Sequence, residues 1–445
     1  MTKQQNNSHE TRQVVRELLG AMTEGREVRA WLKQFGKLER SRFAVIKIGG
    51  GTLHYELPTI CSALAFLQKL GLCPVIVHGG GQQIDDALRL ADIETPRLDG
   101  LRVTSDQAMP VIASALRETS LRFISALNAN GAKACFYPAT NVVAKLLDEE
   151  KFGRVGSPTS IDFAAIDAIT KRGELPILTS VAIGNDGREV NVNADALVRE
   201  LAIGLRPQKI IFLTPTGAIL DENNQRISVV HLKSEYETMM RQDWLVGGMK
   251  LKLQQINDML TELPLTTSAA ITRPDMLIKE LFTHSGSGTL IRKGENIEIC
   301  REISKLDLSL TEKLIERAFE RDLGASYWDN IDFEFAITSD SNRALALVVK
   351  QNGQLYLDKF AVLDDARGEG LGAAVWRDLR TFAPNLFWRS RVGNPVNQFY
   401  FSEADGNVKI GDWQVFWIGD VKWPDLQQHL QHIADLPDSF VSDQS

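Results

Sequence analysis

Phe43–Gly51 reads FAVIKIGGG and Pro74–Asp85 reads PVIVHGGGQQID, so two largely apolar runs each lead into three consecutive glycines. A strand with one face in water alternates apolar and polar residues, whereas one that stays apolar is buried on both faces, as in a parallel sheet covered by helices. The same signature returns in AKACFYPA (132–139), PILTSVAI (176–183), KIIFLTPTG (209–217) and TSAAITR (267–273), with helical stretches between them. The expected fold class is therefore α/β. In an open sheet of that kind ligands bind beyond the carboxyl ends of the strands, where these glycines stand.

Lys47 at the end of the first run, followed by Gly49 and Gly50, lets backbone N–H groups approach a phosphate while an ammonium neutralises charge. Gly80 and Gly81 precede a helix expected to begin near Gln82, and a helix N-terminus attracts anions. Taken singly, such a turn is equally an ordinary tight connection with a lysine reaching solvent. Two in one sheet are more specific.

The 445 residues are 44% hydrophobic and 24% charged, with a formal net charge of -7. That length favours two or more domains, and the acidic balance argues against a nucleic-acid partner. Cys61, Cys73, Cys135 and Cys300 are widely spaced, so reduced thiols are expected rather than a metal site or a disulfide framework. The start, MTKQQNNSHETRQ, has no apolar core of a signal peptide, no run is long enough to span a membrane, and a cytoplasmic location is expected. Val14–Phe35 repeats apolar residues at helical spacing ahead of the first strand. Near residue 290 a polar, glycine-bearing stretch opens a second rhythm: a helix at TEKLIERAF, strands at RALALVVK, LYLDKFAVL, LFWRSR and WQVFWIG, and a helix after GEGLG.

KIGG, HGGGQQID, DGLRVT, EVNVNADALV and GGMKLKL stand in the order and approximate spacing of the acetylglutamate kinase family, which residues 15–292 resemble. The resemblance implies an amino-acid kinase fold, an open and mainly parallel sheet sandwiched by helices, with ATP toward one end of the strands and N-acetylglutamate toward the other. It implies Lys47 and Lys252 as cations on the transferring phosphoryl group and Asp195 as the group orienting them. It further implies Gly49, Gly50 and Lys252 on the nucleotide, and Gly80, Gly81, Arg102 and Asn191 on N-acetylglutamate. Mg2+ would be held mainly by the ATP phosphates, with no metal site of the protein's own. A carboxylate acceptor is already ionised at neutral pH, so positioning and charge neutralisation suffice for catalysis. Where the family has a Ser-Asp pair, this chain has Thr214 and Pro215, and proline offers the lysines no side-chain acceptor. KELFTHSGSGT (279–289) resembles the effector end of arginine-sensitive members, with Glu280 as a partner for an L-arginine guanidinium. The N-terminal helix and the family together suggest a homo-oligomer, a tetramer.

Arg367, Gly370 and Gly372 form an R-x-x-G-x-G turn between an apolar strand and a helix, and resemble the acetyl-coenzyme A loop of GNAT acetyltransferases. LDKF, LFWRSR, GNPVNQFYF, DGNVKIGDWQVFWIG and LPDSF narrow the resemblance of residues 300–440 to the acetyltransferase domain of animal-type N-acetylglutamate synthases. That implies Lys359, Arg389 and Asn394 on glutamate, Tyr400 on the thioester or its leaving thiolate, and Arg391 in a structural or coenzyme contact. No His or Glu stands out as a base for the glutamate amine. The expected organisation is an extension over 1–38, a kinase domain over 39–292 and an acetyltransferase domain over 293–445. Together these imply a bifunctional synthase and kinase of arginine biosynthesis. A kinase with a silent second domain, and a synthase with a regulatory kinase-like domain, are the alternatives.

Overall fold

The computed structural model describes residues 40–98, 100–282, 287–364, 366, 370–419 and 425–441, so the Val14–Phe35 stretch and Arg367 lie outside the described residues. The chain divides into two compact units between Lys293 and Gly294.

The first unit is built on an eight-stranded sheet. Its central strands are Ser268–Thr272, Lys209–Leu213, Ala44–Ile48, Val75–His78 and Leu175–Thr179, all mutually parallel, and Ala134–Phe136 adds in parallel at one edge. Beyond Ser268–Thr272 the order continues through Thr289–Arg292, which runs antiparallel, to Val229–His231. The apolar runs are explained by two cores, one on each face. Val45, Val77, Ile210 and Ala269 enter one, and their neighbours Ile46, Ile76, Ile211 and Ala270 enter the other. Alternation along the strand is therefore apolar against apolar. Register sets Lys47 beside Phe212 and Val77, and Ile48 beside Leu213 and His78, so the glycine turns and the 214–217 loop emerge at one edge.

PILTSVAI divides: Leu175–Thr179 joins the large sheet, whereas Val181–Gly184 belongs to a closed barrel with Val142–Leu146, Val155–Ile161 and Glu189–Val192. The barrel was not foreseen. It feeds the strand Glu189–Val192 into the helix Ala194–Leu205, whose N-terminus is capped by Asn193 Oδ1 accepting from the Asp195 and Ala196 amides.

The second unit is a seven-stranded sheet in the order Ile297–Cys300, Phe333–Ser339, Ala344–Gln351, Gln354–Val362, Leu386–Arg391, Trp413–Ile418, Gly406–Ile410. The foreseen helices are Leu308–Phe319 and Leu371–Phe382. Two features position the site. Gln354–Val362 and Leu386–Arg391 run parallel but pair through Tyr356 and Phe387 alone, then part. Opposite Leu347 and Val348 the partners are Lys359 and Leu357, which leaves Asp358 in a bulge. A bulge breaks the two-residue alternation and re-aims a side chain. Among the described residues, no helix of either unit is long and apolar enough to cross a membrane.

Candidate active sites

In the first unit Lys47 Nζ lies 3.1 Å from Asp195 Oδ1, both side chains being largely buried. Lys252, on the helix Gly247–Thr261, sets its ammonium 5.0 Å from the centre of the Phe212 ring. Its ammonium is pushed below the ordinary lysine range, first by burial, then by Lys47, with Asp195 opposing. Asp195 thus pairs with Lys47, while Lys252 feels the charges of both without an ion pair of its own to the carboxylate, and an anion arriving between the lysines would relieve their repulsion. Thr214 Oγ1 accepts from the Gly217 amide at 3.0 Å and Pro215 is exposed, so neither stands in for an acid beside the lysines. A cavity of about 300 Å³ borders Asp195, Asn193, Phe212 and Gln255.

The two glycine turns pack on each other. A Cβ at Gly50 would come within 2.8 Å of Gly80 Cα and of the Gly81 amide, and one at Gly80 within 2.6 Å of Leu116 Cδ2. Nothing lies within 4 Å of a Cβ at Gly81, so that backbone faces open space. Gly49 precedes the helix Gly50–Tyr55 in extended conformation. Behind the turns, His78 is fully buried, with Nδ1 against the Gly79 carbonyl at 3.1 Å and Nε2 against Ser120 Oγ at 2.7 Å. Burial pushes its ring down to about 4, so it is neutral at physiological pH; Nδ1 donates and Nε2 accepts.

Arg102 ends a two-strand ribbon, its guanidinium donating to Asp85 and, at 2.7 Å, to Thr95 Oγ1. Thr104 joins it to Asn191, donating its hydroxyl to the Arg102 carbonyl at 3.0 Å and accepting from Asn191 Nδ2 at 3.2 Å. Buried Arg154 braces the same corner through Asp186 at 2.7 Å, and its amide donates to the Thr104 carbonyl. Gly153, at φ +66°, is held there because a Cβ would meet the Thr104 carbonyl oxygen at 2.2 Å. Asp85, Thr104, Arg154 and Asn193 were missed. Asn193 before a helix is a readable cap, and Asp85 stands inside HGGGQQID, but nothing local marks the other two.

In the second unit the parting strands open a cavity of about 830 Å³ whose lining includes Lys359, Arg389, Asn394 and Tyr400. Lys359 is buried, donating to Asp358 and, at 2.8 Å, to Ser439 Oγ, with the Tyr327 ring 4.8 Å away. Arg389 donates to the Ile433, Ala434 and Pro437 carbonyls at 2.8 to 2.9 Å and stacks on Trp413, so it caps the C-terminus of the helix Asp425–Asp435. Arg391 stacks on the same indole and reaches Asp438 at 3.3 Å. Asn394 Oδ1 accepts from the Val396 amide at 3.1 Å, ordering the turn before the helix Asn397–Glu403. Tyr400 packs among Trp376, Trp388 and Phe416, and burial pushes its phenol above the ordinary tyrosine range. Gly370 takes φ +79° ahead of the helix Leu371–Phe382, and Gly372 packs that helix against Val362, where a Cβ would stand 3.1 Å from Cγ2.

Residues 42–265 match the family model described as the amino acid kinase family. The chain belongs to the amino acid kinase family. Beyond that family's domain, residues 298–440 match the model described as NAT, N-acetyltransferase, of N-acetylglutamate synthase. An acetylglutamate kinase of Xanthomonas campestris pv. campestris is 42% identical over 419 residues, covering 93% of this chain and 98% of its own. The mitochondrial protein arg-6 of Neurospora crassa is 34% identical over 418 residues, 92% of this chain and 48% of its own length. The solved structure of N-acetylglutamate synthase from Neisseria gonorrhoeae, complexed with coenzyme A and N-acetyl-glutamate, shares the fold, with TM-score 0.64 at 18% identity over 89% of this chain and 98% of that one. This member of the amino acid kinase family is thus a transferase with an acetyltransferase-type second unit.

Proposed function

We propose that the chain is bifunctional in arginine biosynthesis, acetylating L-glutamate with acetyl-coenzyme A and phosphorylating the resulting N-acetyl-L-glutamate with ATP to N-acetyl-L-glutamyl 5-phosphate. The observation that carries this reading is that each unit has its own polar site: Lys47 paired with Asp195 and Lys252 within their electrostatic reach, beside paired glycine turns, and Lys359 and Tyr400 on one cavity between parting strands.

In the kinase reaction the side-chain carboxylate of N-acetylglutamate attacks the γ-phosphoryl group in line. Lys47 and Lys252 offset the charge spreading over the transferring oxygens, with Asp195 holding them in register. Gly49 and Gly50 give backbone donors to the nucleotide phosphates, and Gly80 and Gly81 to the acyl group. Arg102, preset by Asp85, grips the α-carboxylate as a planar fork, and Asn191 borders the same substrate. Mg2+ travels with ATP.

In the acetyl transfer, Gly370 and Gly372 shape the turn that receives the pyrophosphate of acetyl-coenzyme A, together with Arg367. Lys359 and Asn394 orient glutamate. Arg389 acts largely through the helix end it caps, and Arg391 offers a more exposed guanidinium. Tyr400 donates to the departing thiolate; a buried phenol keeps its proton at neutral pH. L-Arginine as an effector is supported by Glu280, whose Oε2 accepts from the Ser287 and Gly288 amides while Oε1 is buried with no hydrogen-bond partner among the described residues. A cytoplasmic homo-oligomer is the assembly this reading carries.

The engagement of Arg389 with three carbonyls favours a second reading, a kinase with a silent second unit. Incubating the intact protein with glutamate and acetyl-coenzyme A separates the two: N-acetylglutamate forms under the first reading and not under the second.

A further inference from the structure

Acetyl transfer to an amino acid needs a group that recognises the ammonium of the acceptor, and among the described residues neither His nor Glu lines the second unit's cavity. Among the residues lining it, the carboxylates belong to Asp358 and Asp438. Asp438 is fully engaged: Oδ2 accepts from Arg321 at 3.2 Å and Arg391 at 3.3 Å, and Oδ1 from the Phe440 amide at 3.2 Å.

Asp358 is arranged differently. Its Oδ2 receives both the Tyr327 hydroxyl and the Lys359 ammonium. No donor among the described residues reaches Oδ1, and that oxygen is not sealed in the protein interior. The bulge opposite Leu347 and Val348 turns the side chain out of the strand's alternation at the point where the two strands part. Burial and the neighbouring carboxylate push the Tyr327 phenol far above its ordinary range, so it keeps its proton and remains a donor. One oxygen is thus fixed by two donors, and the other is left to a ligand with positive charge.

We propose that Asp358 Oδ1 is the subsite that binds the α-ammonium of the acceptor amino acid, with Tyr327 and Lys359 as positioning residues that fix the carboxylate. The inference rests on the acetyltransferase reading of this unit and adds the group that selects an amine. The acceptor class it specifies is an α-amino dicarboxylate, bound by cations at its carboxylates and by Asp358 at its nitrogen.

The test compares equilibrium binding of glutamate and of glutarate, which keeps both carboxylates and lacks the ammonium, to the intact chain with coenzyme A present. In Asp358→Asn the donors from Tyr327 and Lys359 hold the amide oxygen, which turns the NH2 group toward the cavity and against an ammonium. Glutamate binding should fall about ten- to hundred-fold, the scale of one charge-assisted contact, with glutarate unchanged. Equal losses for both ligands overturn the proposal, as does a parent protein that acetylates glutamate yet shows no preference for it over glutarate. If Asp358→Asn also loses coenzyme A binding, Tyr327→Phe carries the test, because it keeps the carboxylate and removes one of the two donors that fix it. A narrowed preference for glutamate with glutarate binding unchanged supports the assignment; a preference equal to the parent's, or equal losses for both ligands, overturns it. A parent that fails to acetylate glutamate defeats the acetyltransferase reading instead, and is recognised without any variant.

Discussion

Lys47 Nζ and Asp195 Oδ1 stand 3.1 Å apart across the neighbouring ends of a central strand and a capped helix. Lys252 lies within reach of both charges, and burial first of all holds its ammonium below the ordinary lysine range. Lys47→Ala and Lys252→Ala should each lower kinase turnover by roughly two orders of magnitude or more, the scale of one strong contact to a transition state. Acetyl transfer should persist in both variants. Initial rates of the two reactions on the same preparation check this, and parallel loss of both with an intact circular dichroism spectrum contradicts separate sites.

Arg102→Lys keeps the charge and loses the two-pronged grip that Asp85 and Thr95 orient. Its Michaelis constant for N-acetylglutamate should rise far more than that for ATP. A larger effect on ATP moves Arg102 to the other ligand.

The large sheet was legible because its strands carry apolar residues toward both cores, as Val45 and Ile46 do. The barrel was not. Val155–Ile161 reads VGSPTSI, with a glycine, a proline and exposed polar positions, and its burial comes from closure rather than from local pattern. Lys47 and the glycines stood at foreseeable strand ends, whereas Asp195 sits in the first turn of the helix Ala194–Leu205, behind a barrel strand, and was pointed to by the family resemblance alone. Asp358 did not announce its orientation, since a bulge depends on pairing with Ala344–Gln351. The capping role of Arg389 depends on a helix more than thirty residues downstream in sequence.

His78 gives a pH signature. With a folded value of about 4 against an ordinary 6.5, the folded state binds fewer protons than the unfolded chain between those values. The associated stability is complete above about 6.5 and falls as pH drops toward about 4, a loss of about 3 kcal/mol at 1.36 kcal/mol per unit. His78→Gln should therefore be less stable than the parent at neutral pH, with the gap narrowing toward pH 4. Denaturant midpoints across that window check it, and a constant gap contradicts it.

L-Arginine should inhibit the kinase, with inhibition weakened by removal of residues 1–38 and by Glu280→Gln. Titration of arginine against initial rate is the measurement. An unchanged curve on truncation removes the N-terminal stretch from the effect, and an unchanged curve in Glu280→Gln removes the buried carboxylate.

Tyr400→Phe keeps the ring among Trp376, Trp388 and Phe416 and removes the hydroxyl. Acetyl transfer should fall about ten- to thousand-fold, the range of one acid or hydrogen-bond donor, with coenzyme A binding and kinase activity nearly unchanged. Full transfer activity in this variant would leave the tyrosine with a packing role alone.

Isotope-labelled glutamate, acetyl-coenzyme A and Mg-ATP, incubated with the intact protein and followed in one vessel with hydroxylamine to trap the acyl phosphate, tests two consecutive activities on one chain. The account predicts that labelled N-acetylglutamate appears first and is then converted to the hydroxamate, and that Lys47→Ala stops the sequence at N-acetylglutamate. Hydroxamate formed only from added N-acetylglutamate, with none from labelled glutamate, would contradict it.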